Sequence, residues 1–369
     1  MDTATQALLG AVVGQAGFSH KLGRRAVAWG AVGGLLPDLD VVATLTHGPF
    51  GEFLHHRGFT HALWFGPVVG PLLGYAVWRH YARSRREPRE STASPLRPPH
   101  PGDPELLRSW IGLFVAALFT HPLIDVFTSY GTQLFAPFSD QRYALNAVGI
   151  IDPFYSGTLV AALVAGRVLR GRPAAARRVA FAALALSWAY LGYGVALNER
   201  ARADVEQRLA AAGEGDAQVR VYPTLLQPYL RRVVVRTADE VRVGLYTPWR
   251  EAGPAFEGFR PTPPHPLVDA LARTREGAIF VWFAMGETAT RVTSSGDAFV
   301  VEISDLRYGF PGAPDRGFWG IRGVFDRDGR LREPVQRIEY DPPASTGSLI
   351  RKLWRAAWGD FSGMGLEGA

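Results

Sequence analysis

The residues of this chain that could do chemistry are histidine and aspartate, gathered into three short motifs. HHRGFTH, residues 55 to 61, holds three of the nine histidines in seven positions. HPLID, residues 121 to 125, sets His121 and Asp125 four apart, and PDLD, residues 37 to 40, carries Asp38 and Asp40. The 369-residue chain has no cysteine, which excludes a disulfide framework, a thiolate metal site and a cysteine nucleophile. Carboxylate oxygen and neutral imidazole nitrogen are the ligands that zinc and related divalent ions accept when sulfur is absent. A helix through HPLID puts His121 and Asp125 on one face, within reach of one ion. Pro37 removes a backbone donor and loosens its turn, so Asp38 and Asp40 need not diverge. Gly58 permits a bend between His56 and His61, and Thr60 can cap the helix that follows. Ser129, Ser139 and Ser156 lie in no nucleophile-elbow motif.

The elements that must position these motifs are long and apolar. Windows 60 to 78, 110 to 128 and 179 to 197 are each nineteen residues with no charge other than Asp125, close to the ~20 residues needed to cross ~30 Å of hydrocarbon. Segments 26 to 46 and roughly 154 to 170 are further candidate spans, and 7 to 18 is a short sixth. Charged side chains inside a span usually face a cavity, a partner or an ion, so Asp38, Asp40 and Asp125 need an explanation together.

The net charge of +6 comes almost wholly from arginine. Many arginines fall in clusters between apolar segments, as topology signals do, which argues against a nucleic-acid partner. The connections 79 to 109 and 167 to 178 are arginine-rich and read as cytoplasmic, as do Lys21, Arg24 and Arg25. Segments 47 to 59 and 129 to 153, and everything after about residue 198, then lie outside. On that topology all three motifs, with Asp140 and Asp152, collect in the outer leaflet. His20 and His47 read as interfacial residues. No cleavable signal peptide is expected, because Asp2 stands where a positive n-region should be.

The expected architecture is therefore a polytopic α-helical membrane domain of five to six helices over 1 to 198, followed by a small extracytoplasmic α+β domain over 199 to 345. Stretches such as LRRVVVRTADEVRVGLYTP, with TADE as a hairpin turn, GAIFVWFAMG, DAFVVEISDLRYGF and FWGIRGVFDRDG read as a mostly antiparallel sheet. Residues 346 to 369 read as an amphipathic C-terminal helix, lying in a membrane interface or packed on its own domain. The linker 87 to 104 is proline-rich.

The ordered blocks PDLD, HHRGFTHAL, THPLIDVFTSYGTQLFAPFSDQRYALN and IIDPFYS, over roughly residues 1 to 200, resemble the YdjM-like family of bacterial inner-membrane proteins, described as membrane-bound metal-dependent hydrolases. Where some members of that family have His near the start, this chain has Gln6. The resemblance implies an α-helical metal-binding core with Asp38, Asp40, His56, His61, His121 and Asp125 as ligands, and Asp140 and Asp152 after them. His55 is then a bystander. It implies a divalent metal, zinc foremost, and hydrolysis by an activated water. Asp38 and Asp40 would be the catalytic carboxylates. Arg57 and Arg142 would hold a phosphate, unless they pair with nearby acids. Membrane lipids are the expected partners, through an ester or phosphoester at headgroup depth on the outer face of the inner membrane. The rival expectation is a structural ion tying the spans together, with the outer domain binding a partner. A transporter is a third, disfavoured by the lack of an inverted repeat.

Overall fold

The computed structural model describes residues 1–42, 45, 47–83, 103–341, 345–362 and 364. The linker expected at 87 to 104 therefore lies outside the described residues except for its last two.

The N-terminal half is helical. Asp2 caps α1 (Thr3–Val13) by accepting the Thr5 N–H at 3.0 Å, and a single π turn (Gly14–Phe18) follows. Next come α2 (Arg24–Leu35), α3 (Phe65–Arg83), α4 (Pro104–Asp125), α5 (Pro153–Val168) and α6 (Pro173–Ala211). Proline at the first position of α4, α5 and α6 supplies a helical φ where the missing N–H has no intrahelical partner anyway. Among the described residues, α4 and α6 are long and apolar enough to cross a membrane.

Two glycine ladders fix how these helices meet. Gly10 of α1 and Gly14 of the π turn face Ala26, Gly30 and Gly34 of α2 so closely that a Cβ on Gly10 or Gly34 would collide with backbone carbonyls. Gly66, Gly70 and Gly74 of α3 lie against Phe119, Val115 and Ile111 of α4, where a Cβ on Gly70 would stand 2.7 Å from the Val115 nitrogen. Small residues every fourth position let helix backbones approach, a packing used where lipid supplies no hydrophobic drive between helices.

The segments expected as spans end differently in two places. The stretch 26 to 46 is helical only to Leu35. Beyond it Pro37, which has no N–H, leads into a 3-10 turn from Leu36 to Val42. HHRGFTH is not the start of a long helix either: it spans the end of a short helix (Gly51–His55) and a 3-10 turn (Phe59–His61), with α3 beginning at Phe65. The short N-terminal segment forms the centre of the bundle, where Leu9, Val12, Ile124, Tyr155, Leu159 and Leu191 pack together. Each such burial stabilises by roughly 1.5–3 kcal/mol relative to exposure.

α6 continues past residue 198 into the C-terminal domain, where Ala201, Val205 and Leu209 pack on the first of two four-stranded antiparallel sheets. That sheet is the meander β1 (Gln218–Pro223), β2 (Arg231–Arg236), β3 (Val241–Tyr246) and β4 (Ala255–Phe259), and TADE is its β2–β3 turn, with Arg236 opposite Val241. The second is β5 (Thr288–Ser295), β6 (Ala298–Asp305), β7 (Trp319–Asp326) and β8 (Gln336–Glu339). In chain order, α7 (Pro266–Arg273) and α8 (Arg275–Phe283) come between the sheets and pack on the second. GAIFVWFAMG, expected as a strand, mostly forms α8: Thr274 caps it by accepting the Gly277 N–H at 3.0 Å, and Phe280 and Phe283 fill the core. The last helix, α9 (Thr346–Ala357), buries Leu349, Ala356 and Ala357 on its own domain while Ile350, Trp354 and Trp358 stay exposed.

The two halves are joined by buried contacts. Arg307 donates to the Ser129 carbonyl at 2.8 Å and Arg231 to the Ala147 carbonyl at 2.8 Å. Phe53 stacks on Phe283 at 4.5 Å between ring centroids. Burial lowers the Arg231 guanidinium to about 10.

Candidate metal centre

Four side chains from three segments converge at one end of the bundle. Asp38 comes from the turn after α2, His61 from the turn before α3, and His121 and Asp125 from the last turn of α4. The helix ladders bring those ends together, and none of the four side chains is more than 7% exposed. His61 Nε2 lies 2.9 Å from His121 Nε2, 3.5 Å from Asp38 Oδ1 and 3.3 Å from Asp125 Oδ2. His121 Nε2 lies 3.3 Å from Asp38 Oδ1 and 3.4 Å from Asp125 Oδ2. Donors bound at ~2.0–2.1 Å around a tetrahedral ion stand about 3.3–3.4 Å from one another.

The hydrogen bonds behind the cluster decide which nitrogen each ring offers. His121 Nδ1 is 2.7 Å from the Gly34 carbonyl, which can only accept, so Nδ1 carries a proton and, in the neutral ring, Nε2 presents a lone pair. His61 Nδ1 is 3.1 Å from Asp40 Oδ2, with the same consequence. Two imidazole lone pairs thus face each other among carboxylate oxygens, and Asp38 Oδ2 and Asp125 Oδ2 are buried with no hydrogen-bond donor. Lone pairs arranged in this way repel unless a cation sits among them. The donor set, the spacing and the orphaned oxygens all fit a divalent metal ion.

Asp40 does not join the four. Its Oδ1 takes His56 Nδ1 at 2.7 Å, and its Oδ2 takes the Arg57 N–H at 3.0 Å and lies 2.9 Å from Thr60 Oγ1. It orients His61, as carboxylates behind metal-bound histidines commonly do. His56 is bonded to Asp40 and sits one layer out. Arg57, at a φ of 62° that a long side chain rarely adopts, sends its guanidinium inward. There Nη2 is 3.3 Å from Asp125 Oδ1, which also binds the amino group of Met1. Arg57 therefore holds the Asp125 carboxylate in place.

Three other expected residues sit apart from the cluster. Asp152 caps α5, accepting the Phe154 and Tyr155 N–H groups at 2.9 and 3.0 Å and the Tyr190 hydroxyl at 2.8 Å. Asp140 lies in the loop after α4, where its backbone carbonyl accepts from Trp282 at 3.1 Å. Arg142 is buried among carbonyls, donating to Gly131 at 2.9 Å and Phe53 at 2.7 Å. These contacts tie the loop after α4 to the Gly51–His55 segment. His55 packs against the His47 ring, with centroids 4.3 Å apart, and stays out of the cluster. What the sequence did not disclose is the Gly34 carbonyl and the Met1 amino group as neighbours of the centre. The Asp152-Pro153 pair did carry a readable helix-start signal.

A pocket of about 480 Å³ opens beside the centre, lined by Asp40, Leu54, His55, Gly58, Phe59, Thr60, Gln133, Ala136 and Pro137.

Comparison with known proteins places the helical half. The profile of the YdjM inner membrane protein family matches residues 1–201. The uncharacterized protein YfhP of Bacillus subtilis is 26% identical over 164 residues, 42% of each chain. The inner membrane protein YbcI of Escherichia coli is 32% identical over 116 residues, 31% of this chain and 54% of its own. The chain thus spans about half the length of the curated relatives it matches. No solved structure matches it significantly.

Proposed function

The chain belongs to the YdjM family of inner membrane proteins, and from that premise we propose that it is a membrane-bound metal-dependent hydrolase acting on an ester or phosphoester of a lipid headgroup. Asp38, His61, His121 and Asp125 would hold the ion. The observation that carries this reading is the convergence of the two Nε2 atoms with Asp38 Oδ1 and the orphaned Asp125 Oδ2, each nitrogen 3.3–3.5 Å from both oxygens. A bound divalent ion, zinc foremost, lowers the pKa of a coordinated water and polarises the oxygen under attack.

The remaining work falls to residues of this chain. Asp40 faces the pocket and is hydrogen-bonded to His56, which is 19% exposed. A proton taken from water in the pocket can be held by the hydrogen-bonded Asp40–His56 pair. Arg57 and the Met1 amino group keep Asp125 Oδ1 occupied, leaving Oδ2 free for the ion. Phe59, Phe135 and Phe138 are exposed around the pocket and suit an acyl-bearing substrate.

The topology proposed with this function has five to six membrane helices, including α3, α5 and the α1–α2 pair beside α4 and α6. The arginine-rich helix ends lie on the cytoplasmic side and the sheet domain on the extracytoplasmic side. The arginines at the ends of α3 and α5 support it, because they lie at the opposite end of the bundle from the cluster.

A second reading has its own observation. All four donors are protein atoms and all are buried, as in structural ions, which are saturated by protein. One experiment separates the two. Metal content and release of headgroups from phospholipid vesicles are measured on the detergent-purified full chain, its His121→Ala variant and its Asp125→Ala variant. The hydrolase reading requires a bound divalent ion and turnover in the wild type, both lost in the variants. Metal without turnover leaves the structural reading, and unchanged metal in both variants overturns the ligand assignment.

A further inference from the structure

Away from the metal centre, a cavity of about 440 Å³ lies between the helical half and the sheets. Its walls are apolar, with Ile151, Leu225, Leu245, Phe310, Leu349 and Leu353 among them. That volume is in the range of small-molecule sites. It suffices for one unbranched hydrocarbon chain and is too small for the two chains of a phospholipid.

One wall is charged. Arg232 is buried, and its Nε donates to the Leu306 carbonyl at 2.9 Å, but its Nη2 has no partner among the described residues. The backbone at Gly309, which lines the cavity, makes room for that nitrogen: a Cβ there would stand 2.8 Å from it. The neighbouring Arg307 is matched by Asp305 at 2.7 Å. Arg232 forms no ion pair among the described residues, although Glu257 shares a small adjoining cavity with it. The hydroxyls of Ser129 and Tyr308, also in the wall, are buried and unpartnered. A buried guanidinium with a free N–H calls for an anion.

The surroundings of α9 suit a mouth that opens to a membrane. α9 forms part of the wall and turns Ile350, Trp354 and Trp358 outward. Trp354 stacks on Phe154 in the first turn of α5, with ring centroids 6.3 Å apart. α5 itself exposes Val160, Val164 and Val168 along its length. Tryptophans beside Arg351, Lys352 and Arg355 form the side-chain set of a membrane–water interface.

We propose that this cavity binds a long-chain fatty acid drawn from the membrane, its chain in the apolar space and its carboxylate paired with Arg232. None of the four metal-binding side chains lines the cavity, so the inference stands apart from the hydrolase reading.

The test is displacement of a dansyl-labelled fatty acid from the full-length protein by palmitate and by hexadecanol, which has the same chain without the charge. Palmitate is expected to displace the probe from the wild type and to bind about tenfold or more weakly to Arg232→Gln, with hexadecanol unchanged. Leu225→Trp, which fills the cavity, and Ile350→Trp, which narrows the mouth, are expected to abolish binding of both. His121→Ala is expected to bind palmitate as the wild type does. Undiminished palmitate binding by both tryptophan variants, an unchanged preference for palmitate in Arg232→Gln, or better displacement by a lysophospholipid than by palmitate overturns the proposal.

Discussion

His61 and His121 point their Nε2 atoms at each other across 2.9 Å, each ring turned that way by an acceptor on its Nδ1. With both rings neutral, neither nitrogen has a proton to give the other, and a shared cation is what holds the pair together. Chelation of purified protein is therefore expected to lower its melting temperature, and stoichiometric zinc or manganese to restore it. At a thousandfold excess over Kd the ion stabilises by about 4 kcal/mol. A melting temperature indifferent to chelator, in protein shown to be metal-free, would sink the centre.

Asp40→Asn keeps the shape of the side chain and removes the charge that orients His61. Metal affinity is expected to fall by about 10–100-fold with the fold retained, and competition against a fluorescent zinc chelator reads that loss. His56→Ala, one layer further out, is expected to cost less. Equal losses in the two would mean that Asp40 acts through His56 rather than on His61.

Gly70→Leu forces a side chain into the α3–α4 contact and is expected to destabilise the protein in detergent by at least about 1–3 kcal/mol. Gly157→Ala is the control. A Cβ at Gly157 meets nothing within 4 Å, and exchanging helical glycine for alanine is neutral or favourable by up to ~1 kcal/mol. Melting curves of both in one detergent decide it.

Arg307→Met leaves Asp305 buried without its partner and removes two bonds to the loop carbonyls of Ser129 and Tyr130. The expected cost is about 3–5 kcal/mol. The double variant with Asp305→Leu is expected to recover part of that loss, because the stranded charge is gone. Limited proteolysis between the helical half and the sheets follows the undocking directly.

The donor set of the centre was legible because it depends on helical spacing and on which residue types hold ions. His121 and Asp125 share a face of α4 wherever that helix sits. The division of labour between Asp38 and Asp40 was not legible. It follows from the 3-10 turn after Pro37, which aims one carboxylate at the ion site and the other at His61 from behind. Arg57 turns inward only because its backbone adopts a positive φ, and nothing in HHRGFTH announces that strain. GAIFVWFAMG misled because a short apolar run fits a strand or a buried helix equally well. The helix cap that decides between them, Thr274, lies just outside the run. The glycine ladders were readable as small residues at every fourth position in 10 to 14, 30 to 34 and 66 to 74.

α6 runs unbroken for 39 residues, Pro173–Ala211, about 58 Å at ~1.5 Å per residue, roughly twice the hydrocarbon thickness of a bilayer. It has no internal proline, and the sheet packs directly on its far end. Such a rod has no joint at which movement can be absorbed. In the proposed topology, a change in its tilt within a bilayer of different thickness would swing the sheet domain as a lever arm, and lipid composition would set how high that domain stands above the surface.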